Sequence, residues 1–175
     1  MRLLYLDECH LPTHPDLATC WQRPGASAPG RPDQRLTVVG ALEYRSGQLA
    51  TTLEPAASSA RFEQFLTDLA ARWPDDQLVL VLDNASYHRS PAVRSWLAAQ
   101  HERITLLWLP TSSPQLNLIE RVWRFVKSKL ACHRDGNDLP GLTTFASDIL
   151  DRPRATFAAP TRPHLFLCQS HCESA

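Results

Sequence analysis

The chain has 175 residues, 43% hydrophobic and 21% charged, the make-up of a soluble globular domain able to bury a core without disulfide or metal staples. Lys and Arg number 18, as do Asp and Glu, so a surface that is basic throughout is excluded and any DNA contact must come from a local patch or a partner. A secreted or membrane-spanning chain is also disfavoured: MRLLYL meets Asp7 and Glu8 too early for a signal peptide, no run approaches a membrane span, and five scattered cysteines fit reduced thiols, which together predict a cytoplasmic protein.

In chain order, Arg2 to Leu6 reads as a short buried strand ending at Asp7, and residues 8 to 35, rich in proline and polar residues, read as a loop around Trp21. Leu36 to Tyr44 is strand-like, and Gln48 to Leu53 is its hairpin partner across Arg45, Ser46 and Gly47. Phe62, Phe65, Leu66 and Leu69 recur at helical spacing between Ala60 and Trp73, and Pro74 with two aspartates ends that helix. The unbroken LVLVL of residues 78 to 82 is the mark of a central strand covered on both faces, with Asp83 at its carboxyl end. Ser90 and Pro91 open a second helix running to Gln100, and Ile104 to Leu109 forms a further strand that Pro110 stops.

Hydroxyl residues Thr111 to Ser113 before Pro114 predict the start of a third helix, whose apolar stripe contains Leu118, Ile119, Val122, Val126 and Leu130. Glu120 lies off that stripe, in the first or second turn, with Arg124 and Lys127 on its own face. One more short helix is expected within residues 135 to 150, and residues 151 to 175 read as a poorly structured tail, leaving 1 to 150 as one domain. The order β-β-β-α-β-α-β-α predicts an α/β fold with a mixed five-stranded sheet, antiparallel at first and then parallel.

Polar residues at the carboxyl ends of central strands meet in one cleft of such a sheet. Asp7 and Asp83 occupy two such ends, and the last helix is placed to bring Glu120 over them. Three converging carboxylates repel one another unless a cation neutralises them, and oxygen donors without a His or Cys set favour Mg²⁺ or Mn²⁺ over zinc. A pair of such ions suits chemistry at a phosphodiester.

LVLVLDNASYHRS, residues 78 to 90, followed by LLWLPTSSPQLNLIERVWRFVK, residues 106 to 127, resembles the catalytic domain of bacterial insertion-sequence transposases related to mariner elements, within the DDE superfamily. LYLDECHLPTHPD and the later WQRPG are similar to that family's segment around its first aspartate, and the interval from Asp83 to Glu120 is like the family's. The resemblance implies a ribonuclease H-like fold, two Mg²⁺ ions for which Mn²⁺ can substitute, a homodimeric active complex, and DNA strand cleavage and transfer involving transposon terminal inverted repeats and target DNA. It places the catalytic and metal-binding triad on Asp7, Asp83 and Glu120. This chain departs from the family at Leu118, where proline is usual, and at Thr111 and Ser112, where a Pro-Tyr pair is usual. The family's helix-turn-helix DNA-binding modules, which precede its catalytic domain, have no counterpart before Asp7.

Asn84 and His88 are candidates to orient water or contact DNA phosphate, set against a plainer role in holding the strand-to-helix loop. Arg121, Arg124 and Lys127, with Lys129 and Arg134, give the last predicted helix a basic face for DNA phosphates, or simply a solvated one. Glu8 should point away from Asp7 if the first strand continues. His164, Cys168, His171 and Cys172 have spacings that suit zinc, although the resemblance implies no such site. The five tryptophans read as core or interface residues, and no nucleophile elbow surrounds Ser86 or Cys9 to make a hydrolase with His88. Two further functional readings are a truncated remnant that folds without turnover and a nuclease acting on RNA.

Overall fold

Each expected element forms, and the differences lie at its ends. The structure is a computed structural model that describes residues 1–13, 34–54, 58–100, 102–111, 113–132 and 138–151. Strands β1 (Arg2–Pro12), β2 (Arg35–Glu43) and β3 (Leu49–Glu54) are followed by helix α1 (Ser59–Arg72), strand β4 (Leu78–Leu82), helix α2 (Pro91–Ala99) and strand β5 (Ile104–Trp108). Helices α3 (Glu120–Cys132) and α4 (Leu139–Leu150) complete the described structure.

The local chemistry explains most boundaries. Ser58, Ser90 and Asp138 each accept a backbone N–H from the first turn of α1, α2 and α4, which satisfies donors that a helix start leaves unpaired. Gly47 turns the β2–β3 hairpin at φ 66°, a left-handed conformation that costs glycine little. No described helix is long and apolar enough to cross a membrane.

The five strands form one sheet in the order β3-β2-β1-β4-β5, antiparallel on the β1–β2–β3 side and parallel from β1 through β4 to β5. Side chains alternate across it, so β1 faces two cores at once. Leu4 and Leu6 point to the layer made by α1 and α2, together with Leu80, Leu82, Phe62 and Leu66. Cys9 and Leu11 point to the opposite layer, where Ile119, Trp123 and Val126 of the α3 segment and Leu142 of α4 are buried. Asp7 belongs by alternation to the α3 layer and Glu8 to the α1 layer.

Two expectations are corrected. The first strand does not stop at Asp7, and residues 8 to 12 are not loop: β1 continues to Pro12 because β2 pairs with it as far as Pro12 opposite Arg35. The third helix does not begin at Pro114. Pro114–Leu116 make one isolated 3-10 turn, Asn117 is extended at φ −89° and ψ 110°, and α3 begins at Glu120 itself. The buried amide of Asn117 donates to the Leu6 carbonyl of β1 at 2.8 Å, a tertiary bond that holds the chain out of helical geometry for one residue.

Candidate active site

The parallel register of β1 and β4 assembles the site. Leu4 pairs with Leu80 and Tyr5 with Val81, the last pair of that ladder, and the same register carried two residues on sets Asp7 opposite Asp83, just past the end of β4. Beyond Leu82 the ladder ends, leaving a notch at the carboxyl edge of the sheet. The Leu109–Thr111 segment, Pro114 and Asn117 wall that notch into a cleft of about 320 Å³ lined by Asp7, Asp83 and Glu120. All three acidic residues singled out by sequence therefore line one cavity.

Asp7 is the half-buried member. Desolvation first, and then the charge of Glu120, push its carboxyl from 3.8 up to about 7, with Glu8 and Asp83 adding to the rise. The indole N–H of Trp123 donates to Asp7 Oδ2 at 3.1 Å. That contact needs Gly40, which pairs with Asp7 across the β1–β2 ladder: a Cβ there would lie 2.6 Å from Trp123 Cη2 and 3.0 Å from Ile119 Cδ1. Tryptophan at three residues beyond Glu120 was visible in the sequence as a core residue, and its bond to Asp7 was not.

Asp83 is the solvated member, its side chain 54% exposed. Its Oδ1 accepts the Ala85 backbone N–H at 3.0 Å and faces His88 Nδ1 at 3.2 Å. Glu8, on the opposite face of β1 from Asp7, accepts the Tyr87 hydroxyl and faces His88 Nε2 at 3.1 Å. Burial, reinforced by the Glu8 charge, raises the Tyr87 phenol well above its ordinary range, so it stays a donor. His88, considered above for phosphate contact, is only 2% exposed and directs both ring nitrogens into the protein. Asn84 lines the cleft, and its amide joins two loops by donating to the Leu109 carbonyl at 3.0 Å and accepting from Arg89.

Glu120 is the first residue of α3, and the exposed cations Arg121, Arg124 and Lys127 follow it on that helix. Among the described residues no three His, Cys, Asp or Glu side chains stand as a ready-made metal cage. The lining nevertheless suits a hard cation in kind. Its acidic members are all carboxylates, the burial that holds a proton on Asp7 marks negative charge short of compensation, and Asn117 Oδ1 is buried at the cleft without a hydrogen-bond partner.

Comparison with known proteins agrees with this geometry. Residues 2–142 match the family described as DDE superfamily endonuclease. The chain belongs to that family. It is 27% identical over 121 residues to an uncharacterized protein of Sinorhizobium fredii, covering 66% of this chain and 86% of that one. It is 28% identical over 127 residues to the insertion element IS630 39 kDa protein of Shigella sonnei, covering 70% of this chain and 36% of the relative. The catalytic domain of Mos1 mariner transposase superposes with a TM-score of 0.61 at 15% identity, covering 87% of this chain and 71% of that one. The Mos1 strand transfer complex gives a TM-score of 0.65 at 18% identity, covering 90% and 49%. The fold is thus the ribonuclease H-like α/β fold of mariner transposase catalytic domains. The chain spans 36% of the IS630 relative and about half of the Mos1 chain in the strand transfer complex.

Enzymes of the DDE superfamily generally use divalent metals, and the departures of this DDE chain spare its three carboxylates. Beside Leu118, the start of α3 is held by the Asn117 bond to Leu6 and by Ile119, which is fully buried. The Cys9 thiol is pushed up to about 11 by burial and lies on the face of β1 away from His88, which leaves no Cys–His nucleophile. Trp73 and Trp123 are core residues, whereas Trp108 is 38% exposed under the Arg89 guanidinium. The suggested zinc set His164, Cys168, His171 and Cys172, the tail, Trp21 and Arg134 lie outside the described residues.

Proposed function

We propose that this chain is the catalytic domain of a metal-dependent DNA transposase, in which Asp7, Asp83 and Glu120 hold two Mg²⁺ ions, or Mn²⁺ in their place, and which cleaves and transfers DNA strands at transposon ends. The observation that carries the proposal is the level placement of Asp7 and Asp83 on adjacent parallel strand paths, with Glu120 lining the same cleft, in a chain of the DDE family. Metal ions bound there would activate the attacking water or DNA 3′-hydroxyl and stabilise the departing oxygen.

The chain's own groups supply positioning. Trp123 orients Asp7 through its indole N–H, Asn117 ties the start of α3, and so Glu120, to β1, and the walls formed by Leu109, Pro110 and Pro114 narrow access to the cleft. Arg121, Arg124 and Lys127 follow Glu120 along an exposed helix and meet DNA phosphates, while Asn84 lines the cleft where the strand is cut. With a net charge of zero, that local patch adds to contacts made by a second copy on paired terminal inverted repeats and target DNA. An enzyme of chromosomal DNA in a bacterium acts in the cytoplasm.

The test is cleavage or joining of a terminal-repeat duplex in Mg²⁺, with Asp83→Asn as the control. Loss of product in the variant is expected, and product formed equally well by Asp83→Asn refutes the assignment. The limited share of the IS630 and Mos1 chains that this chain spans favours one alternative, a domain that binds metal but does not turn over alone. Mn²⁺ binding without cleavage, joined with dominant inhibition of an intact transposase, would select that reading.

A further inference from the structure

A buried polar chain runs from the α1 side of the sheet to the cleft, and the proposed reaction does not by itself require it. It begins at Glu8, whose side chain is 10% exposed and whose two oxygens receive Tyr87 and His88. It continues through the His88 ring, whose side chain is 1% exposed, and ends on Asp83, 54% exposed. The ring cannot swing: Phe62 lies 4.2 Å from it, centroid to centroid, at a 40° tilt, and Tyr87 packs edge-on at 4.3 Å. Each ring nitrogen thus faces a carboxylate, Nε2 that of Glu8 and Nδ1 that of Asp83. Asp83 Oδ1 receives the Ala85 N–H, and His88 Nδ1 lies 3.2 Å from that oxygen and 3.4 Å from the Asp83 carbonyl, its hydrogen-bond partner. One hydrogen bond and one wedged ring beside the same oxygen restrict the rotation of the carboxylate and leave Oδ2 for a ligand.

We propose that Glu8 and His88 are positioning residues that hold Asp83 in its metal-binding orientation. The inference rests on the metal-binding reading above and adds two residues to it, neither of which touches the cation. A carboxylate–histidine pair behind a metal ligand typically governs affinity by about 10- to 100-fold. The ring therefore holds Asp83 at two points, by its hydrogen bond with the backbone carbonyl and by its contact with the carboxylate. Sequence alone left His88 between phosphate contact and loop support; what sequence could not reveal is that Glu8, far away in the chain, stands behind it.

Two substitutions separate the ends of the ring. His88→Asn keeps an amide N–H where Nδ1 was and so keeps the bond to Asp83, whereas His88→Gln reaches toward Glu8 and loses it. Mn²⁺ binding by the full chain, followed by electron paramagnetic resonance, should weaken about tenfold in His88→Gln and stay within about threefold of the parent in His88→Asn. Thermal melts without metal run alongside, because an architectural role would lower both melting temperatures and leave the affinity of the folded fraction unchanged; that outcome, or equal loss of affinity in both variants, overturns the proposal. If the parent chain binds no Mn²⁺, the metal-binding reading fails, and metal-free crystal structures decide the positioning. A carboxylate of Asp83 that rotates in His88→Gln but not in His88→Asn supports it, and one unmoved in both sinks it.

Discussion

Asp7 and Asp83 stand level at the edge of one sheet and are held in opposite ways. Asp7 lies inside a strand, paired with Gly40 and half-buried beside Trp123, where desolvation and the charge of Glu120 push its carboxyl up to about 7. Asp83 lies one residue past the end of its strand, half in solvent, and is held by the Ala85 N–H and the adjacent His88 ring rather than by burial. The contrast shows two routes to a rigid carboxylate: one at a cost in stability that a bound cation would offset, the other through a network of hydrogen bonds with little desolvation.

The two members should respond differently to the same chemical change. Asp7→Asn and Asp83→Asn are both expected to bring strand cleavage down to background, the largest effect, but only Asp7→Asn should stabilise the metal-free fold near pH 8. The sign follows from proton counting. The unfolded chain ionises Asp7 near 3.8 and the folded chain near 7, so between those values the folded state binds more protons and its stability falls as pH rises. Urea titrations in chelator from pH 4 to 8 should show that decline in the parent and its loss in Asp7→Asn. An equal decline in both would remove the electrostatic distinction between the two sites.

Gly40→Ala probes the cover over Asp7. The added Cβ meets the Trp123 ring at 2.6 Å, and Gly40 is held in the ladder by Asp7 on one side and Thr51 on the other, so destabilisation of about 1–3 kcal/mol is expected from chemical denaturation. A change below about 0.5 kcal/mol would mean that Trp123 moves freely and does not hold Asp7. The smallest effect concerns the helix leading away from the cleft. Lys127→Ala should lower the slope of log binding constant against log salt by about 1 on duplex DNA, with no change in the pH dependence of folding. An unchanged slope would remove Lys127 from the phosphate-binding face.

Much of this arrangement was legible in the residues. Unbroken LVLVL identified β4 to the residue, the three- and four-residue spacing of Phe62, Phe65, Leu66 and Leu69 located α1, and the strand-end position of Asp83 marked it for the site. Where the reading failed, a distant partner had intervened. Residues 8 to 12 look like loop until β2 pairs with them, and Ser113-Pro114 looks like a helix start until Asn117 bonds to Leu6. The roles of Gly40, Trp123 and Glu8 have no local signature, because each acts on a side chain far from it in the chain.

Sequence by itself determined the type of nearly every element and the family, and singled out three acidic residues that line the cleft, because these depend on short-range periodicity and on local strings of residues. Tertiary structure alone decided the register that sets Asp7 opposite Asp83, that Asp7 is half-buried while Asp83 is largely in solvent, and that His88 faces inward to Glu8. Those properties depend on strand register and on which side of the pleat a residue falls, and both are settled only when remote segments pair and exclude water between them.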